Sequence, residues 1–140
     1  MTVAPDWRPP HVYVPGETAR HDAGLFDRFG FSLDDIEASE RWRLAHAFIQ
    51  EGYFWEAHEL LEPIWMGLPP GSRERALVQG LIQLANAGLK RRMGRENAVA
   101  RLAEMARELL FVEGTEEEAV ILGISRSDVS RLWNSVFGSQ

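Results

Sequence analysis

The sequence predicts an all-helical, single-domain bundle of about five to six helices, preceded by an extended, proline-rich N-terminal arm. Apolar residues recur at the three- and four-residue spacing of amphipathic helices, and serine, glycine and proline residues stand where such helices would begin and end. No stretch alternates polar and apolar residues with the period of a half-buried strand. At 140 residues, 45% of them hydrophobic and 26% charged, the chain is long enough to bury one core without disulfides.

The composition narrows the classes of function. The chain has no cysteine, which excludes disulfides and thiolate chemistry and favours a reducing compartment, so we expect a cytoplasmic protein. We expect neither a signal peptide nor a membrane span, because MTVAPDWRPP has no apolar segment and the longest apolar stretch, LVQGLIQLANAGL, is short and contains Gln and Asn. The net charge of -6 disfavours binding to nucleic acid.

Residues 1–31 are predicted to form the extended arm. Four of the seven prolines fall within the first 15 residues, and each fixes its own backbone and lacks an N–H donor. The aromatic residues Trp7 and Tyr13 indicate that the arm packs on the body of the protein rather than projecting into solvent. Residues 32–140 are predicted to form that body, the helical bundle.

The first two helices are predicted on either side of Gly52. The first begins at Ser32, which can form a capping pair with Asp35, and ends at the glycine. Its apolar side carries Trp42, Ala45, Phe48 and Ile49. The second helix takes residues 53–66, and Pro63 within it predicts a kink because proline cannot donate to the preceding turn.

Two further helices follow the turn sequence LPPGS. Ser72 can cap a long third helix that reaches about Met93, with Gly94 as its C-terminal break. This helix must be central, because it is apolar on most of its circumference. A fourth helix is predicted over residues 96–112, where apolar residues share one side.

The C-terminal segment predicts two short helices. Thr115 with Glu118 forms a capping box for a helix that ends at Leu122, and Ser125 with Asp128 begins a last helix. The last helix ends near Phe137.

The same segment, EEEAVILGISRSDVSRLW, resembles a DNA-binding helix-turn-helix over residues 115–137. Ala119, Gly123 and Val129 stand at offsets where small residues let two helices cross and glycine makes the turn. However, residues 115–140 hold four acidic and two basic side chains, which offer few phosphate contacts. DNA binding is therefore an alternative to two helices that simply pack on the bundle.

The second helix, with the sequence YFWEAHELLEPIW over residues 53–65, carries the candidate site. His58 and Glu62 are four residues apart and are therefore neighbours at one edge of its apolar arc, while Glu59 lies further round. The candidate ligand-binding residues of this helix are Trp55, His58, Glu59, Glu62 and Trp65.

The third helix has one polar stripe that we expect to face this site. The stripe consists of Gln79, Gln83, Asn86 and Lys90. Three of the four are neutral amides, which need partners when they are half-buried. The second and third helices are joined by a short loop and should pack antiparallel, with Gly80 and Gly88 allowing close approach. The sequence thus predicts a pocket between these two helices.

The runs FIQEGYFWEAHELLEPIW and RERALVQGLIQLANAGLKRRMGRENAVARL resemble the domain-of-unknown-function family 309 of bacteria, over about residues 40–112. That family pairs a Gly-Tyr-Phe, Glu-Ala-His-Glu, Glu, Trp helix with a Gln-rich central helix and a Gly-Asn turn. The resemblance implies a small all-helical bundle and no established activity. The motif positions it implies are His58, Glu59, Glu62, Trp65 and Gln83. The chain departs from the pattern at Pro63 and in Gly94-Arg-Glu-Asn97, which splits the Gly-Asn turn.

The His-Glu-x-x-Glu segment leaves several interpretations open. It can bind a small polar ligand, or it can form a structural hydrogen-bond network that fixes the helix register. In a hydrolase, His58 would be an acid–base catalyst oriented by Glu62, with a ligand held by Gln79, Gln83 or Lys90, although no paired nucleophile is evident. As a metal site, His58 and Glu62 lack an identifiable third ligand, so no metal or other cofactor is expected.

The other three histidines of the chain are left without an assigned role. His11, His21 and His46 show no spacing that would make them ligands, and we interpret them as ordinary. The sequence does not decide whether the protein is an enzyme, and a homo-oligomer is left open.

Overall fold

The computed structural model describes residues 5–112 and 119–138. Within these ranges the protein is an all-helical bundle with one very small antiparallel ribbon, as the sequence predicts for the fold class. The elements are a 3-10 turn Ile36–Ala38, α1 Glu40–Glu51, α2 Phe54–Gly67, α3 Arg73–Arg92, α4 Glu96–Leu110, β1 Val120–Ile121, β2 Ile124–Ser125 and α5 Arg126–Phe137. None of these helices combines the length and the apolar character that crossing a membrane requires.

The first helix begins later than the sequence predicts. The Oγ of Ser39, not that of Ser32, caps α1 by accepting a hydrogen bond from Trp42 N at 3.2 Å. Ser32 Oγ instead accepts from Asp34 N at 3.3 Å in a local turn, which is the usual competitor of a helix cap. The C-terminal prediction is confirmed, since Gly52 ends α1 with φ +89°, in the left-handed region.

The other predicted helix ends are largely confirmed. Ser72 Oγ accepts from Arg75 N at 3.1 Å and caps α3. Ser125 and Asp128 form the predicted capping box at the start of α5, which ends at Phe137. The fourth helix ends two residues before the predicted boundary, and α2 continues through its proline as one helix.

The prediction of a helix ending at Leu122 is wrong for the described residues 119–122. Strands β1 and β2 pair there through a tight turn in which Leu122 and Gly123 have φ +51° and +78°. Positive φ at both central residues matches the right-handed twist of a two-residue hairpin. Each strand has only two residues, too few for a period-two pattern. The predicted capping box at Thr115 and Glu118 lies outside the described residues.

The helix-turn-helix prediction therefore fails where it can be compared with the structure. Helix α5 is present, but the ribbon takes the place of the first helix over residues 119–122. A helix-turn-helix needs two helices that cross at the turn. The described part of the C-terminal segment thus gives no support to this mode of DNA binding.

The N-terminal arm shares the core of the bundle. Val14, Phe26 and Phe29 are buried and belong to the same apolar cluster as the helices. Arg41 of α1 ties the arm to the helices, because its guanidinium donates to the carbonyls of Phe29 at 2.6 Å, Phe26 at 2.9 Å and Leu60 at 3.1 Å. The arm is therefore packed against α1 and α2 as part of the same core.

Helices α2 and α3 pack antiparallel, as predicted. Phe54 at the start of α2 lies against Gly88 near the end of α3, and the Arg75 guanidinium lies 4.3 Å from the Trp65 ring at the opposite ends. A Cβ at Gly88 would meet the Phe54 ring at 2.7 Å, so only glycine allows this approach. At Gly80 the atoms nearest to a Cβ position belong to Leu109 and Leu110, so this glycine allows the close approach of α4.

Replacing Gly88 by alanine should destabilise the protein by about 1–2 kcal/mol, because the added methyl group overlaps a buried ring. Urea unfolding of the variant measures this change. Gly30→Ala is the control, since nothing lies within 4 Å of its Cβ position and its φ is not in the left-handed region. A Gly88→Ala variant at least as stable as the wild type would contradict the close approach of α2.

Candidate functional site

Helix α2 brings His58, Glu59 and Glu62 together on about one turn. The Nδ1 of His58 lies 3.3 Å from Glu59 Oε2, and its Nε2 lies 2.9 Å from Glu62 Oε2. One ligand atom from each residue lies within 4.8 Å of the others. The His58 side chain is 23% exposed and that of Glu62 is 48% exposed, so this cluster is open to solvent. We call it the His58 cluster.

The geometry of the His58 cluster bears on catalysis. Both ring nitrogens of His58 face a carboxylate oxygen. A general base must lie within hydrogen-bond reach of the reacting group, and in this geometry Glu59 and Glu62 take both positions beside the ring. The arrangement favours binding or structural roles over acid–base chemistry at His58.

The amide stripe of α3 is half-buried, and its internal contact is a hydrogen bond from Asn86 Nδ2 to Gln83 Oε1 at 3.4 Å. Gln79 and Lys90 lie on the same side of α3 by their spacing. In residues 5–112 and 119–138, no hydrogen bond or ion pair joins this stripe to the His58 cluster. The pocket between α2 and α3 therefore stays a prediction.

A cleft of about 610 Å³ lies instead between α2 and the N-terminal arm. Helix α2 contributes Trp55, Glu59 and Pro63, and the arm contributes residues between Tyr13 and Asp27. We call this the arm cleft. Glu59 belongs both to this cleft and to the His58 cluster, so the two features are adjacent.

A buried carboxylate holds the arm beside this cleft. Glu56 is 0% exposed, and its Oε2 accepts a hydrogen bond from Tyr13 N at 2.7 Å and lies 2.7 Å from His21 Nε2. Its Oε1 is buried without a hydrogen-bond partner. The His21 ring lines the arm cleft and lies 5.8 Å from the Trp55 ring. The pair therefore fixes one wall of the cleft to α2.

Sequence reasoning missed this pair. It treated His21 as ordinary and did not single out Glu56, although Glu56 opens the Glu-Ala-His-Glu run of α2. On a helical wheel Glu56 lies next to Leu60, at the edge of the apolar arc opposite His58. The position of Glu56 beside this apolar arc is the sequence signal that its carboxylate is buried.

The charges that line the arm cleft are negative by a small margin. Arg41 is held by three carbonyls and His21 by Glu56. The remaining charged lining residues are Arg20, Asp22, Asp27 and Glu59. Asp22 and Asp27 form no ion pair among the described residues. Hydrogen bonds to neutral carbonyls leave the charge of Arg41 in place, so three carboxylates face two guanidinium groups and the lining is only slightly negative.

The fold and the site define a small helical-bundle protein with a histidine–carboxylate cluster on its second helix. Residues 42–102 match the family model described as Domain of unknown function (DUF309). The match confirms the resemblance and runs from α1 into α4. No curated protein and no solved structure matches the chain. The family description assigns no activity.

Proposed function

We propose that the protein binds a small organic cation, such as a protonated amine, in the arm cleft. The observation that carries the proposal is the group of three carboxylates, Asp22, Asp27 and Glu59, beside the aromatic wall formed by Trp55. The proposed setting is the bacterial cytoplasm, which suits a chain without cysteine. No catalysis and no cofactor are needed for this role.

Two residues of α2 would contact the ligand, Trp55 through its ring and Glu59 through its carboxylate. The indole of Trp55 offers an aromatic face to a cation, an interaction worth about 0.5–2 kcal/mol. Tyr13 holds this indole from one side, with ring centroids 5.0 Å apart. Glu59 accepts a hydrogen bond from the ammonium group, while His58 at 3.3 Å limits the rotation of its carboxylate.

Titration calorimetry of the full chain with diaminobutane tests the proposal. We expect a dissociation constant on the order of 0.1–1 mM, as for a ligand of few heavy atoms, and much weaker binding of butanediol and succinate. Glu59→Gln and Trp55→Leu should each weaken binding about 3–10-fold, since each removes roughly 1 kcal/mol. Glu104→Gln, an equal charge change at an exposed position of α4, is the matched control.

Two outcomes would count against amine binding. Equal affinity for diaminobutane and butanediol would show that the charge of the ligand plays no part. If Glu104→Gln weakened binding as much as Glu59→Gln, the loss of affinity would reflect only the net charge of the protein.

A second candidate, a divalent cation at the His58 cluster, is favoured by its three converging ligand atoms. Zn²⁺ binding that His58→Gln abolishes and Trp55→Leu leaves unchanged would assign that cluster to a metal.

A further inference from the structure

A second cleft, of about 480 Å³, lies where α1, the ribbon and α5 meet. Its lining includes Trp42, Arg43 and His46 from α1, Leu122 from the turn and Leu132 from α5. We call it the ribbon cleft. Its volume falls within the range of small-molecule sites. It shares no lining residue with the arm cleft.

Two polar atoms of the ribbon cleft are buried without a hydrogen-bond partner. They are the Nε of Arg43 and the Nε2 of His46. The two residues are three positions apart on α1 and therefore project from the same side of the helix. A buried polar atom left unpaired costs about 1–3 kcal/mol. Ordered water or a ligand normally completes the hydrogen bonds of such atoms, so the cleft offers two polar partners to its occupant.

The charges around these atoms favour one negative group. One guanidinium nitrogen of Arg43 donates to a backbone carbonyl at 2.8 Å, and Arg43 forms no ion pair within the described residues. Arg131 is already paired with Asp128. Glu37 and Asp128 also line the cleft. A single negative charge would match Arg43, whereas a second would be repelled by Glu37, because Asp128 is already paired with Arg131.

His46 is suited to donate rather than to carry charge. Burial lowers the pKa of His46 to about 4, so its ring is neutral near pH 7. In the tautomer with a proton on Nε2, the ring offers one N–H to the cleft. The Trp42 indole lies 4.4 Å from this ring, and its own N–H donates to Leu122 O at 2.9 Å. The indole is therefore an apolar wall.

We propose that the ribbon cleft binds the carboxylate of a small monoanionic ligand with an apolar body. Arg43 Nε–H and His46 Nε2–H donate to the carboxylate oxygens, and the apolar body packs against Trp42 and Leu132. A carboxylate accepts from two donors at once, and hydrogen bonds to a charged acceptor are the strong ones. This site takes a charge opposite to that proposed for the arm cleft and stands on separate residues.

Nuclear magnetic resonance of the full chain, following the Trp42 indole N–H, tests this site with three probes. We expect saturable shifts with phenylacetate, about tenfold weaker binding of phenylacetamide and no shift of this signal with inorganic phosphate. Arg43→Gln should weaken phenylacetate binding about tenfold, because it removes a charge-assisted bond. Arg101→Gln, at an exposed position of α4, is the matched control and should change nothing.

A second variant keeps the test decisive if Arg43→Gln does not fold. Ala47→Leu fills the cleft and leaves both donors in place, so it should abolish phenylacetate binding by obstruction. Equal affinity for phenylacetate and its amide overturns the proposal, as does preferential binding of phosphate. The proposal also fails if phenylacetate on the order of 10 mM shifts no signal, or if Ala47→Leu binds it like the wild type.

Discussion

Replacing Glu56 by alanine is expected to lower the free energy of unfolding by about 3–5 kcal/mol, the cost of breaking a buried ionisable pair from one side. The change leaves the His21 ring and the Tyr13 N–H without their acceptor, both in the interior. Denaturant unfolding of the full chain measures the loss. Glu56→Gln should lose less, because its amide oxygen can still accept from Tyr13.

The matched control for this prediction is Glu51→Ala. Glu51 pairs with Arg8 at 2.7 Å, the same distance, but the two side chains are 43% and 30% exposed. A solvated ion pair contributes about 0–1 kcal/mol. Losses of equal size at positions 51 and 56 would contradict the buried environment that the structure gives to Glu56.

Stability should fall by about 3 kcal/mol as the pH drops from about 6.5 to about 4, because of His46 alone. Burial lowers the pKa of His46 from 6.5 to about 4. The unfolded chain therefore binds a proton near pH 6.5, while the folded chain does so only near pH 4. Each step of acidification between these values favours the unfolded state. Urea unfolding near pH 7 and near pH 4.5 measures the difference.

His46→Gln is the comparison that isolates this effect, since glutamine does not titrate. Carboxylates also titrate in this range, and Ser125 N–H holds the pKa of Asp128 below its usual value. Such groups contribute equally to both proteins. The difference in pH dependence between wild type and His46→Gln therefore reports His46. Identical pH profiles for the two proteins would refute the buried, neutral state of this ring, whose burial outweighs the attraction of Asp128.

The helix ends that could be predicted from the sequence are fixed by contacts between residues a few positions apart in the chain. Ser72 and Ser125 each bond the backbone three positions later, and Gly52 supplies its own left-handed backbone. The predicted start of the first helix at Ser32 is wrong. Ser32 has an acidic residue at the capping-box offset, whereas Ser39, the actual cap, has none. The ribbon escaped prediction since its strands are shorter than any periodic pattern.

Contacts within one helix of the site could be predicted from the sequence, whereas contacts between α2 and the arm could not. His58 and Glu62 meet because they are four residues apart on one helix, and this could be derived from spacing. Glu56 meets Tyr13 and His21 across 43 and 35 positions. No periodicity specifies which residue of a proline-rich arm covers a given side of α2. The arm cleft could therefore be found only from the folded structure.

The hydrogen bonds of Arg41 to the arm also bear on the stability of fragments of this chain. An excised peptide with the bounds of the family match, 42–102, would begin one residue after this arginine and would lack the arm. Its second helix would expose Glu56 together with the apolar surface that Val14, Phe26 and Phe29 now cover. We therefore expect the segment that matches the family to be less stable by itself than together with the arm.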